Sequence, residues 1–151
     1  MPLDKMLKRP YKIEAYNPVW KEKFEQIHKD IHDSFGNKAL SIEHVGSTSI
    51  PGMSAKAVID VCVTIDHIEP FIEEKNRMIK RGYKWEDDYI GPDSILFYQA
   101  EKDDEKKINI HVCVKGSYEI EKFIYTSDYL RAHPKRVQMY NDLKEKLDRK
   151  S

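Results

Sequence analysis

Residues 42–63 read IEHVGSTSIPGMSAKAVIDVCV, two apolar stretches joined by a loop with more hydroxyl groups than a turn needs. Residues 39–45 (ALSIEHV) read as a strand. Residues 57–65 (AVIDVCVTI) are rich in β-branched side chains and predict a buried strand. Between them His44, Gly46, Ser47, Thr48 and Ser49 precede the Pro51-Gly52 pair. Glycine permits backbone shapes that other residues resist. Ser47, Thr48 and Ser49 add hydroxyls to the backbone N–H groups, and such a segment can cradle an anion, above all a phosphate. A tight turn whose hydroxyls satisfy their own backbone has the same composition, so both readings stand at this point. The Walker A spacing and the Gly-x-Gly-x-x-Gly fingerprint are both missing.

Asp60 gives the loop its functional interest. It sits among residues that want burial, and a buried carboxylate is costly unless paired, hydrogen-bonded or metal-bound. It either caps loop N–H groups or projects beside the Gly-Ser segment to hold a divalent cation and its phosphate. Residues two apart share a strand face, so Cys62 points with Asp60, and Asn109, His111 and Cys113 share a face of the later strand INIHVCV (108–114). If the two strands are neighbours, His111 approaches Asp60, and Asp60, Cys62, His111 and Cys113 become conceivable ligands for a soft metal. Against this, buried cysteine mostly behaves as a small hydrophobe, and a core hydrogen bond accounts for His111 equally well. His44 is either a half-buried strand residue or a proton carrier and phosphate contact.

Outward from this segment the chain reads as one domain, residues 1–151. Asn17-Pro18 opens a helix, with Trp20, Phe24, Ile27, Ile31 and Phe35 on one face and Gly36 as its stop. Asp66 is placed to cap a second helix with Ile68, Phe71, Ile72, Lys75, Met78 and Ile79 inward and Gly82 at its end. YKWEDDYI (83–90) and SILFYQAE (94–101) predict strands joined at Gly91-Pro92-Asp93, and KDDEKK (102–107) a solvated turn. Helical segments follow at about 118–131 and 135–148, divided by His133-Pro134. This order gives an α+β fold, a mixed or antiparallel sheet with helices packed mainly on one side.

Lys plus Arg is 26 and Asp plus Glu is 26, so no global field draws nucleic acid or an anionic membrane. No run reaches the roughly 18 apolar residues that a membrane helix needs. The amino-terminal MPLDKMLKRPYK lacks the apolar core of a signal peptide. Cys62 and Cys113 lie in apolar runs and read as reduced thiols of a cytoplasmic protein.

The segments IEHVGSTSIPGMSAKAVIDVCV (42–63), INIHVCVKGS (108–117) and DYLRAHP (128–134) resemble the GrpB family. The likeness runs from YNPVWKEKF (16–24) to YNDLKEKL (140–147). That family is similar in turn to the DNA-polymerase-beta-like nucleotidyltransferases. Those proteins carry a Gly-Ser loop followed by a strand with an Asp-x-Asp or Asp-x-Glu pair. The resemblance implies that Gly46, Ser47, Thr48 and Ser49 bind phosphate, that Asp60 holds Mg²⁺ or Mn²⁺, and that His111 or His44 carries a proton. Cys62 replaces the second acid, and His111 is the candidate for a third ligand. Many GrpB-like chains also have an arginine where Ser127 stands here, which leaves Lys56 and Arg131 as phosphate-binding cations. Glu86, Asp87 and Asp88 are candidate substitute carboxylates, and Trp85 and Tyr98 could stack on a base.

The resemblance implies transfer of a nucleoside monophosphate from a triphosphate to an acceptor. The alternative is a nucleotide- or phosphometabolite-binding module without catalysis. GrpB-like domains fused to dephospho-coenzyme A kinase point that module toward coenzyme A metabolism. The partner expected in either case is a nucleotide or phosphorylated small molecule, not a membrane or a nucleic acid.

Overall fold

Asn17 begins the first helix as its sequence predicts. In the computed structural model its side-chain oxygen accepts the Val19 N–H at 3.0 Å, and α1 runs Val19–Phe35. The structure describes residues 13–87, 93–100 and 106–150, with Lys106 and residues 148–150 by backbone alone. Trp20, Ile27, Ile31 and Phe35 are buried. Phe24 is half-buried and stacks on His44, with ring centroids 4.9 Å apart.

After α1 come β1 (Ser41–Val45), β2 (Ile59–Ile65), α2 (Ile72–Lys80), β3 (Lys84–Asp87), β4 (Ser94–Ala100), β5 (Lys106–Val114), α3 (Tyr118–Ala132) and α4 (Pro134–Lys150). The sheet order is β1-β2-β5-β4-β3. β2 and β5 are parallel, and the other pairs are antiparallel. The sheet is therefore mixed and the fold α+β. One face carries the main core, in which Ile59, Val61, Val63, Ile110, Val112, Ile95 and Phe97 meet α1 and Met78 of α2. The other face carries a thinner cluster, Val45, Cys62, Cys113 and Ile120, beneath α3. Burial of this apolar surface, at about 25 cal/mol per Å², is the main stabilising force.

The second helix differs from its sequence prediction. Pro70 disfavours a helical residue before it, and α2 starts only at Ile72, after Phe71 in a left-handed conformation (φ +48°). Asp66 is no cap; it is exposed and pairs with Lys115 at 2.7 Å. The late start leaves Ile72 67% and Ile79 40% exposed and turns Glu74 inward. Lys38 then pairs with the buried Glu74 at 3.3 Å and with Glu69. Asp88 and the expected strand ends at 88–90 and 101 lie outside the described residues. Among the described residues no helix is long and apolar enough to cross a membrane.

Candidate phosphate and cation site

The antiparallel pairing of β1 with β2 ends at Val45 opposite Asp60. The chain therefore leaves β1 beside that carboxylate. Gly46 takes φ +76° and ψ −175°, a region essentially reserved for glycine. A Cβ at this position would meet Asp60 Oδ2 at 3.0 Å. The glycine is thus needed both for conformation and for closeness to the acid.

Ser47–Ser49 form one 3₁₀ turn, and their hydroxyls divide between the two readings of the loop. Ser49 Oγ donates to the Gly46 carbonyl at 2.6 Å, a self-satisfied turn. Thr48 is buried and donates to the Val58 carbonyl at 3.1 Å. That leaves its oxygen to accept from His44 Nε2 at 2.9 Å, which sets the tautomer of His44. Ser47 instead accepts from Lys144 Nζ at 3.3 Å.

Lys144 comes from α4 and was not among the residues singled out from the sequence. It also donates to the Ser54 carbonyl at 2.8 Å. Asn141, one turn before it, accepts the Ser54 N–H at 2.7 Å and donates to the Gly52 carbonyl at 2.8 Å. Burial, and then the charge of Lys56, pull the Lys144 pKa below its ordinary value. The only sequence signal for these two residues is their place three apart on a polar helix face, which any solvated helix shares.

Ser127 is buried and accepts the Gly46 N–H at 3.2 Å. Ser127 therefore anchors the loop backbone. Arg131, one turn on, donates to the His44 carbonyl at 3.0 Å and to Asp128 at 3.1 Å. It braces the end of β1. Lys56 is exposed at the start of the approach to β2.

Asp60 is the second residue of β2, with its side chain 30% exposed. His111 approaches it as anticipated, Nε2 lying 3.4 Å from Oδ1, and is itself buried against the Phe123 ring. The parallel register sets Asn109 beside Asp60 and His111 beside Cys62. Asn109 Oδ1 is buried with no hydrogen-bond partner among the described residues. Burial pushes the Cys62 thiol up to about 12 and the Cys113 thiol up to about 11. Both thiols lie in the apolar cluster beneath α3, and no three His, Cys, Asp or Glu side chains among the described residues converge on a cation position.

His44 pairs in register with Val61, not with Asp60, so it faces α1 across the sheet from the acid. Burial, followed by the Arg131 charge, holds its pKa down at about 4. β3 lies at the opposite edge of the sheet from β1. Trp85 and Asp87 there meet Lys75, the ammonium 5.9 Å from the ring and 2.9 Å from the carboxylate. These aromatic and acidic residues do not reach Asp60, because β5 and β4 intervene.

Asp60 and Asn109 offer two hard oxygens on one face. That set is too small for a resident Mg²⁺, but it fits a cation that keeps its waters and arrives with phosphate oxygens.

A family model described as GrpB protein matches residues 10–151. The chain is 33% identical over 142 residues to the UPF0157 protein YqkA of Bacillus subtilis, covering 93% of this chain and 40% of that one. A crystal structure of the conserved protein GrpB from Enterococcus faecalis superposes with a TM-score of 0.81 at 25% identity, covering 91% of this chain and 82% of that chain. More distantly, the chain is 24% identical to a dephospho-CoA kinase of Mycobacterium bovis, covering 94% of this chain and 40% of that protein. A cytoplasmic RNA terminal U-transferase shares the fold with a TM-score of 0.51 at 14% identity, over 78% of this chain and 35% of that one.

Proposed function

The chain belongs to the GrpB family, and we propose that it recognises the phosphate end of a nucleotide or phosphorylated metabolite on a nucleotidyltransferase-like scaffold. The observation that carries this reading is the contact of Gly46 with Asp60, which sets a carboxylate against the loop whose next residue meets Lys144. Ser47 and Lys144 take phosphate oxygens, with Lys56 adding charge. Asp60, assisted by Asn109, would hold a divalent cation beside the same phosphates. When bound, that cation neutralises phosphate charge and polarises the phosphorus. Arg131, Ser127 and Asn141 keep the loop in shape. His44, neutral above its pKa of about 4 and bonded to Thr48, is structural in this reading.

A second reading keeps nucleotidyl transfer. It is favoured by the Asp60–His111 pair, in which an imidazole lies 3.4 Å from the carboxylate. An acceptor hydroxyl oxygen would bond to the α-phosphorus while the bond to pyrophosphate breaks, with His111 near enough to relay the hydroxyl proton. The similarity to a dephospho-CoA kinase supports including coenzyme A precursors among the ligands tested. The buried free thiols suit a reducing, cytoplasmic setting.

Calorimetry with ATP, GTP, CTP, UTP and dephospho-coenzyme A, with and without Mg²⁺, tests the proposal. We expect saturable heat that Asp60→Asn weakens only when the cation is present and Lys144→Met weakens with or without it. Absence of heat with every ligand, or unaltered binding by both variants, overturns it. Pyrophosphate release selects the transfer reading, and binding without release selects the module.

A further inference from the structure

A cavity of about 450 Å³ opens on the core side of the sheet, between α1 and the ends of β2, β4 and β5. It lies back to back with the loop site. Ile59 and Ile108 pair in register and face the cavity. Asp60 and Asn109, one residue on, turn to the opposite face. Among the described residues that line the cavity, none belongs to the phosphate and cation site.

The floor is apolar. Ile27 and Ile59 are 2% and 1% exposed, so each shows only an edge of its side chain, and Ile108 is half-buried beside them. Tyr83 closes one wall. It is buried, and its hydroxyl donates to Asp30 Oδ2 at 2.9 Å, while Gln26 Nε2 donates to Oδ1 at 3.3 Å. The tyrosine bond ties α1 to the turn before β3, so the wall is formed before any ligand arrives. The rim is polar. Gln99 rests its amide against Gly82, where a Cβ would lie 3.1 Å from Nε2. Lys23 and Lys107 bring two ammonium groups against the one Asp30 carboxylate, and nothing among the described residues pairs with Lys23.

We propose that this cavity is a second binding site, which takes a small organic acid with its apolar body on the isoleucine floor and one carboxylate at the Lys23 side of the rim. Size and lining are the first argument. Small-molecule sites span roughly 300–1,000 Å³ and combine an apolar floor with a few convergent polar groups. Charge is the second. The lining carries one positive charge in excess, which suits a monoanion, and Asp30 disfavours the second charge of a phosphate monoester. The Gln99 amide adds a neutral donor at the same rim. The inference needs no residue of the loop site, so the two stand or fall separately.

Nuclear magnetic resonance titration of the nitrogen-15-labelled chain tests the proposal, with 2-naphthoate as probe and 2-naphthylmethylamine as its cationic counterpart. 2-Naphthoate should saturate with a Kd of roughly 1 mM or below, and should move the Gln26 and Gln99 side-chain amide signals and the backbone signals of Ile59 and Ile108. The amine should bind at least about tenfold more weakly. Lys23→Glu, on the exposed side of α1, should weaken the acid about tenfold with its dispersed spectrum retained, and Lys23→Met by less. Lys21→Glu, exposed on the same helix but outside the lining, should bind as wild type does. No saturable shift up to about 10 mM overturns the proposal. So does equal binding of acid and amine, shifts centred on residues 46–49, or unaltered binding by both Lys23 variants.

Discussion

Gly46 and Asp60 illustrate how a single contact sets both shape and chemistry. Gly46→Ala adds a Cβ 3.0 Å from Asp60 Oδ2 in a glycine-only backbone region. It should cost about 1–3 kcal/mol in urea unfolding and should weaken phosphate binding in the same protein, because the carboxylate has to move. Unchanged affinity would separate the loop's shape from its function. His44 gives a pH prediction. Its folded pKa of about 4 lies below the ordinary value of 6.5, so the unfolded chain takes up the proton first as pH falls. This contribution to stability is whole above about pH 6.5 and is lost as pH drops toward and through 4. The urea midpoint should fall over that window, and His44→Gln should flatten the fall. An equally steep fall in the variant would assign the titration to another group.

The elements were far more legible in the sequence than the contacts between them. β-branched runs and the Asn17-Pro18 signal located β2 and α1 because strand and helix periods are local properties. α2 was misplaced because Pro70 and the left-handed Phe71 delay its start, moving the cap five residues from Asp66 to Phe71. The Asp60–His111 approach followed from strand alternation. The separation of His44 from Asp60 required the β1–β2 register, since a shift of one residue reverses every face. Lys144 and Asn141 were invisible because only tertiary packing brings α4 to the loop. Two predictions belong to this scale. Ser127→Ala strands the Gly46 N–H and should cost about 1–3 kcal/mol, measured by the urea midpoint; a neutral result would mean that water replaces the hydroxyl. Ile31→Ala, at a fully buried site on α1, should cost about 2–5 kcal/mol. A near-neutral result would remove α1 from the core.

For the whole molecule, a mixed sheet with its main core on one face leaves the other face free to meet α3, while α4 packs on α3 and the loop; inner residues of both helices shape that loop. Cys62 and Cys113 report on that face. With thiol pKa values pushed up to about 12 and 11 by burial, both should resist a thiol reagent in the folded protein and react together on unfolding. Reaction of either well below the unfolding midpoint would show that α3 opens separately. The central claim is that a carboxylate and a hydroxyl-bearing loop at one sheet end jointly hold a phosphate-bound cation. Anomalous scattering at the manganese edge, from crystals soaked with Mn²⁺ and a nucleoside triphosphate, tests it directly. We predict a peak at about 2.1 Å, the spacing of a hard-cation bond, from an Asp60 carboxylate oxygen, with phosphate density toward Ser47 and Lys144. Triphosphate density elsewhere, or at the loop with no metal on Asp60, would contradict the account.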